Sequence, residues 1–293
     1  MLRTRLWMGA VLVALSAAVL AIDPNFEPWY PFLFVLTALL SLVATYEFLQ
    51  LLDDERRPAG WLAYGGVAAL LVANWLPHLP PVESVFPDPW ALIAGTFAGV
   101  VLSAFVREMV IFRGPGHAVT RISLTLFLAG YLGLLPSFFA QLRWLRWPDP
   151  PPGREAVTRG TLALALAIFV PKFCDVGAYF TGRFLGRHGA TPVLSPKKTW
   201  EGFAGGLAAS VLTALVIHCL GPVFPGGEWA WLSAVAFGLV VGFVGIVGDL
   251  AESLIKRDCQ KKDASQVVPG FGGVLDVVDS IVFAAPVVYW WLL

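Results

Sequence analysis

Long hydrophobic and mostly uncharged segments recur along the whole of this 293-residue sequence. A helix needs about 20 apolar residues to cross the hydrocarbon core of a bilayer. A transmembrane β-barrel would instead show alternating strands of about 10 residues. The sequence therefore predicts an all-α polytopic integral membrane protein with about nine transmembrane helices. The predicted spans lie near residues 6–22, 31–52, 61–76, 90–112, 120–142, 160–182, 203–222, 230–250 and 278–293.

The composition argues against several classes of protein. Hydrophobic residues make up 57% of the chain and charged residues only 14%, whereas about 25% of the residues in soluble domains are charged. The 20 basic and 20 acidic residues balance to a net charge of zero, so no nucleic-acid partner is indicated. The three cysteines form no CxxC pair, which argues against a zinc site and a disulfide framework.

The distribution of polar residues predicts two regions and an orientation. Residues 1–145 are mainly hydrophobic, and we expect about five N-terminal transmembrane helices there. Residues 146–293 hold about four spans and most of the polar chemistry, so they are predicted to form the catalytic region. Basic residues concentrate in alternate connecting segments, with the segment 143–159 as the exception. By the positive-inside rule, we expect a protein of the cell inner membrane with its N-terminus and active site cytoplasmic and its C-terminus outside.

A strongly charged stretch follows Gly248 and interrupts the hydrophobic C-terminal region. Eight of the 15 residues after Gly248 are charged. If this stretch is helical, one of its faces carries Asp249, Glu252, Ser253 and Lys256. Two further aspartates, Asp276 and Asp279, are three residues apart and would share a face of the last helix. Ionisable groups at membrane depth cost about 2.5–3.5 kcal/mol each, so they usually face a polar cavity and mark function.

The types of residue in this stretch suit a metal and phosphates. Carboxylate oxygens suit Mg²⁺, which keeps several waters and shares the phosphate oxygens of a substrate. Basic side chains would neutralise the phosphates, and a glycine-rich turn lets backbone N–H groups approach an anion. The candidates are Asp249, Asp276 and Asp279 for metal, Lys256, Arg257 and Lys262 for phosphate, and Gly270, Gly272 and Gly273 for the turn. The alternative is a solvated cytoplasmic loop whose lysines meet anionic lipid headgroups.

A second polar segment precedes the seventh predicted span. Lys172 and Asp175 are three residues apart, so they either neutralise each other in the membrane or belong to the polar site. Ser195, Lys197 and Lys198 could belong to a second phosphate-binding loop. The alternative is an ordinary helix start with Thr199 as its cap. Glu47 and Arg107 lie near the ends of earlier spans and are expected at the membrane interface. These residues alone indicate a membrane-embedded site for a metal and phosphates, and they do not identify the substrate.

Four motifs together resemble the sequence signature of phosphatidate cytidylyltransferases, also called CDP-diacylglycerol synthases. The pattern S-x-x-K-R-x4-K-D covers residues 253–263, and P-G-x-G-G-x-x-D-x-x-D covers residues 269–279. Upstream, D-x-G-A-Y-F-x-G-R covers residues 175–183 and S-P-K-K-T-W-E-G covers residues 195–202. A gapped pattern of this length is far more specific than a single glycine motif.

The resemblance implies an activity, a cofactor and roles for the residues. The implied reaction joins CTP and phosphatidic acid to give CDP-diacylglycerol and pyrophosphate, with Mg²⁺, in phospholipid biosynthesis. Whether a monovalent cation joins Mg²⁺ is left open. The implied catalytic residues are Asp249, Ser253, Lys256, Asp276 and Asp279, of which the three aspartates hold the metal. The implied substrate- and phosphate-binding residues are Asp175, Ser195, Lys197, Lys198, Arg257, Lys262, Asp263, Gly270, Gly272 and Gly273.

The sequence departs from the family pattern at two positions. Phe271 stands where the family has a histidine, and Val277 stands where it has an arginine. The metal and phosphate ligands are otherwise present, so we expect an active nucleotidyltransferase. The alternatives are a CTP-dependent polyprenol or phytol kinase, a membrane transporter and a catalytically silent homologue. The expected partners are CTP, phosphatidic acid and membrane lipids, with no nucleic acid, and a homodimer is left open.

Overall fold

The computed structural model describes residues 2–80, 82–146, 159–221, 223–224, 227–262, 264–265, 268 and 272–293. Side chains are described from residue 7 onward. Two residues predicted to belong to the site, Asp263 and Gly270, lie outside the described residues, as does Phe271.

Ten α-helices account for most of the described residues. They are α1 (Leu2–Ile22), α2 (Pro31–Leu51), α3 (Gly60–Trp75), α4 (Pro89–Ile111), α5 (Ala118–Ala129), α6 (Leu135–Gln141), α7 (Arg159–Leu185), α8 (Trp200–Leu220), α9 (Ala230–Asp258) and α10 (Val274–Leu292). A π-helical turn over Gly130–Leu134 joins α5 to α6, so the helical segment continues from Ala118 to Trp144. The described strands are β1 (Gly189–Thr191) and β2 (Ser195–Thr199), which pair antiparallel.

The prediction of an all-α polytopic membrane protein is confirmed. Eight helical segments within the described residues are long and apolar enough to cross a membrane. They correspond to eight of the nine predicted spans. The remaining predicted span, near residues 61–76, forms α3, which has only 16 residues and is shorter than the about 20 residues that a bilayer requires. The number of spans that cross the membrane stays a prediction for this reason.

Local sequence signals set where several helices begin. Proline occupies the first helical position of α2 and of α4, where its missing N–H group costs nothing. The side chain of Asp88 caps α4 by accepting a hydrogen bond from the backbone N–H of Trp90 at 2.9 Å. Thr199 caps α8 in the same way, because its hydroxyl accepts from the backbone N–H of Gly202 at 3.1 Å. The predicted cap at Thr199 is therefore confirmed.

The chain forms two compact units. The first comprises Met1–Ala140 and Asp263–Leu275, and the second comprises Gln141–Lys262 and Asp276–Leu293. In the first unit, α3 packs against α4 and α5. Buried residues of this core are Leu70, Ala73, Ile93, Val100 and Ala129. The division into regions 1–145 and 146–293, which rests on where the polar chemistry lies, stays a prediction.

Small residues bring the helices of the second unit close together. A Cβ atom added to Gly177 of α7 would meet the Ala209 side chain of α8 at 2.5 Å. One added to Gly238 of α9 would meet the backbone of Val211 at 2.6 Å. The hydroxyl of Ser210 on α8 donates to the carbonyl of Gly238 at 2.8 Å. Close approach at small residues and hydrogen bonds between helices are what hold helices together inside a membrane, so α7, α8 and α9 form a compact frame.

Candidate active site

Three carboxylates from two helices of the second unit meet at one place. Asp249 and Glu252 lie three residues apart on α9, and Asp279 lies on α10. Each offers a carboxylate oxygen, and these oxygens all lie within 4.8 Å of one another. Glu252 and Asp279 are buried, with 1% and 3% of their surface exposed. We call Asp249, Glu252 and Asp279 the acidic cluster.

Lys256 lies beside the acidic cluster, one turn along α9. Its ammonium group forms ion pairs with Glu252 and with Asp276 of α10. Asp276 was predicted as a metal ligand with Asp249. In the structure its carboxylate contacts this lysine and is not one of the three carboxylates that converge. Whether Asp276 also contributes to metal binding stays a prediction.

A second lysine reaches the acidic cluster from the β-hairpin. The Nζ atom of Lys198 lies 2.7 Å from Oδ2 of Asp249. The hairpin holds Lys198 in place because β2 pairs with β1 directly before α8 begins at Trp200. Ser195 starts the same strand and is half-buried, whereas Lys197 is exposed. Of the three residues predicted in this segment, Lys198 is the one whose side chain contacts the acidic cluster.

A third lysine connects α7 to α10. The Nζ atom of Lys172 lies 3.2 Å from Oδ2 of Asp175 and 3.4 Å from Oδ1 of Asp279. The hydroxyl of Ser280 also donates to Oδ2 of Asp175 at 3.2 Å. The Lys172–Asp175 pair that the spacing suggested is therefore present, and it is joined to the acidic cluster through Asp279.

The remaining predicted residues lie in different surroundings. Ser253 is buried on α9. Arg257 is exposed and donates to the carbonyl of Leu194 at 3.3 Å, while Lys262 is exposed beyond the end of α9. Gly272 and Gly273 belong to the first unit. The N–H group of Gly272 donates to the carbonyl of Val268 at 3.0 Å, and Gly272 has a left-handed φ of 111°, a conformation in which glycine is strongly favoured.

The donor set and charge of the acidic cluster fit a divalent cation. Among the described residues of this site, five carboxylates face three ammonium groups, so two negative charges remain when all are ionised. Oε1 of Glu252 is buried and has no hydrogen-bond partner in the part of the chain that the structure describes, and a buried acceptor without a donor is costly. Oxygen ligands of this kind suit a hard cation such as Mg²⁺ or Ca²⁺. A divalent cation held here would satisfy both the charge and the open oxygen.

Two functional candidates emerge from the structure that are not among the residues to which the resemblance assigns a role. Glu252 contributes to the acidic cluster, and Lys172 contacts two of the site's carboxylates. The signal for Glu252 was present in the sequence, because its spacing from Asp249 places both on one helical face. The contact between Lys172 and Asp279 spans 107 residues, and helical periodicity carries no information about it.

Comparison with known proteins supports the resemblance described above. A phosphatidate cytidylyltransferase of Synechocystis is 33% identical over 238 residues, which cover 76% of this chain and 74% of the relative. Proteins of the same name from Mycobacterium bovis and Pseudomonas aeruginosa are 31% identical over 301 residues and 35% identical over 251 residues. Those matches cover 97% and 85% of this chain, and 86% and 83% of the relatives. The sequence model of the cytidylyltransferase family matches residues 3–293, so this chain belongs to the cytidylyltransferase family.

Proposed function

We propose that this protein is a phosphatidate cytidylyltransferase, which joins CTP and phosphatidic acid to give CDP-diacylglycerol and pyrophosphate. The observation that carries the proposal is the convergence of the acidic cluster and three lysines in a membrane protein of the cytidylyltransferase family. The names of the relatives supply the substrates, because each is called a phosphatidate cytidylyltransferase.

The reaction requires positioning and charge neutralisation more than covalent catalysis. A phosphate oxygen of phosphatidic acid attacks the α-phosphorus of CTP. The new O–P bond forms as the bond between the α-phosphorus and the bridging oxygen breaks, and pyrophosphate leaves with that oxygen. The attacking phosphate is already an anion, so the site needs no strong base. A cluster of carboxylates and lysines without a histidine suits this chemistry.

The lysines supply positive charge for the two anionic substrates. Lys198 and Lys256 each pair with carboxylates in the structure, and their ammonium groups can exchange those partners for phosphate oxygens. Arg257 and Lys262, which are exposed at the end of α9, would meet the triphosphate or the lipid headgroup from the water side. Lys172 has a different task, because it links Asp175 and Asp279 and holds the Asp279 carboxylate in place.

Asp249, Glu252 and Asp279 would hold the divalent cation, which we propose to be Mg²⁺. When bound, Mg²⁺ would neutralise charge on the phosphates of CTP. Glu252 is added to the ligands implied by the resemblance because its Oε1 atom is buried and has no hydrogen-bond partner among the described residues. Asp276 would act on the site through Lys256, which it contacts directly.

One departure from the family pattern, Val277, is compatible with an active enzyme. Val277 lies on α10 and is half-buried. The carboxylates and lysines of the site reach one another without an arginine at that position. We therefore propose that the protein is catalytically active. We also propose that it lies in the cell inner membrane and that its site faces the cytoplasm, where CTP and the lipid headgroup can meet.

The direct test is an assay of the purified protein with labelled CTP, phosphatidic acid and Mg²⁺. We expect a CDP-lipid and one pyrophosphate for each lipid formed. Release of CDP with a phosphorylated alcohol would instead identify a lipid kinase, and ion flux without consumption of CTP would identify a transporter. The Asp279→Asn variant should lose turnover, whereas Asp258→Asn, at the exposed end of α9, should keep it. Absence of a CDP-lipid across several acyl chains and divalent metals would refute the proposal.

A further inference from the structure

Glu47 is a fully buried carboxylate in α2, far along the sequence from the acidic cluster. Its predicted place at the membrane interface stays a prediction, and none of its surface is exposed. Its carboxylate accepts three hydrogen bonds within the first unit. Oε1 accepts from the hydroxyl of Ser265 at 2.6 Å and from the backbone N–H of Val274 at 2.9 Å, and Oε2 accepts from the backbone N–H of Leu275 at 2.8 Å.

These contacts make Glu47 the cap of α10. The first four backbone N–H groups of a helix have no partner within the helix, and α10 begins at Val274. Glu47 satisfies the N–H groups of Val274 and Leu275, and its negative charge also interacts favourably with the positive end of the helix dipole. Caps usually come from the residue before the helix, but that residue is Gly273, which has no side chain. The cap therefore comes from a helix more than 200 residues away in the sequence.

Gly273 leaves the room that this cap requires. A Cβ atom at position 273 would lie 2.5 Å from Oε2, 2.9 Å from Cδ and 3.0 Å from Oε1 of Glu47. Carbon atoms do not approach these atoms so closely, so the carboxylate or the backbone would have to move. Gly273 and Glu47 therefore form a matched pair, because the Glu47 carboxylate occupies the space that a side chain at position 273 would need. Ser265 precedes Val268 and Gly272, whose backbones bond to each other, so the same carboxylate binds the chain before and after this pair.

We propose that Glu47 is a positioning residue for the acidic cluster. It acts through α10, and this role rests on the proposed function. Asp276 directly follows Leu275, and Asp279 lies one turn further along the same helix. Because Glu47 binds the first two backbone N–H groups of α10, it would hold the start of the helix that carries both aspartates. A glutamine could not replace it fully, because one carboxylate oxygen would become an NH₂ donor facing a backbone N–H donor.

The test compares Glu47→Gln with Glu108→Gln, a matched control. Glu108 is also a buried glutamate of the first unit, but it pairs with Arg107 and Arg121. Mn²⁺ affinity is measured by electron paramagnetic resonance without CTP, together with hydrogen exchange at the amides of Val274 and Leu275. For Glu47→Gln we expect faster exchange at both amides and about 10–100-fold weaker Mn²⁺ binding, as for groups that orient metal ligands. Glu108→Gln should keep the wild-type Mn²⁺ affinity even if it is less stable.

Two further variants keep the proposal testable if Glu47→Gln does not fold. Glu47→Asp keeps the charge but shortens the reach, and Gly273→Ala displaces the carboxylate while Glu47 remains. Each should weaken Mn²⁺ binding, although less than the loss of the carboxylate. If these variants are less stable but bind Mn²⁺ with the wild-type affinity, the role of Glu47 is merely structural and the proposal is overturned. If the wild-type protein binds Mn²⁺ but makes no CDP-lipid, the proposed function fails and the positioning role is still decided by the Mn²⁺ affinities.

Discussion

Replacing Lys256 by methionine should destabilise the protein more than the same change at Lys198. Methionine keeps most of the length of the lysine side chain and removes only the ammonium group. At Lys256 this removes the ammonium group that contacts both Glu252 and Asp276, and the side chains of these acids are only 1% and 13% exposed. At Lys198 it leaves Asp249, whose side chain is 34% exposed and can be hydrated.

The difference in burial sets the expected size of the two effects. Removing one partner of a buried ion pair typically costs about 3–5 kcal/mol, because a buried charge is left uncompensated. A more exposed pair is worth about 1 kcal/mol or less. At about 2 °C per kcal/mol for a chain of this size, Lys256→Met should lower Tm by roughly 6–10 °C and Lys198→Met by roughly 2 °C or less.

The assay is thermal unfolding of the purified protein in detergent with EDTA, so that no divalent cation takes the place of the removed ammonium group. A double variant, Lys256→Met with Glu252→Gln, should recover part of the lost stability because it also neutralises the buried Glu252 carboxylate that Lys256 contacts. The reasoning is refuted if Lys256→Met lowers Tm no more than Lys198→Met. It is also refuted if neutralising Glu252 in the Lys256→Met background gives no recovery.

Three further predictions follow from the helices and the site. Glu252→Gln should weaken Mn²⁺ binding by at least about tenfold, and unchanged affinity would remove Glu252 from the metal ligands. Gly205→Ala should cost about 1–3 kcal/mol in thermal unfolding because its new Cβ would overlap Thr181, whereas Gly65→Ala, with nothing within 4 Å of the new Cβ, should not destabilise. A reporter fused after Leu293 should lie outside the cytoplasm, and a cytoplasmic signal would overturn the prediction of nine spans with the N-terminus inside.

The sequence by itself determined the class of fold. Inside a bilayer no water is available to bond the backbone, so each span must satisfy its own N–H and C=O groups as a helix. A long uncharged run such as that in α2 or α4 is therefore enough to predict a spanning helix. Periodicity also placed Asp249 and Glu252 on one face of α9, and the residue type of Thr199 predicted the cap of α8. Each of these predictions concerns residues that lie within a single helix or at its end.

Only the tertiary structure decided which helices meet, and with it the composition of the site. The contact of Lys172 with Asp279 and that of Glu47 with the start of α10 depend on which helical faces pack together. Helical periodicity places residues around one helix, but it does not say which neighbour they face. In a membrane that choice depends on small residues and hydrogen bonds between helices, such as Ser210 with Gly238, and not on hydrophobicity that every span shares. For this reason the residue types of the site could be predicted from the sequence, whereas the partners of these charges on other helices could not.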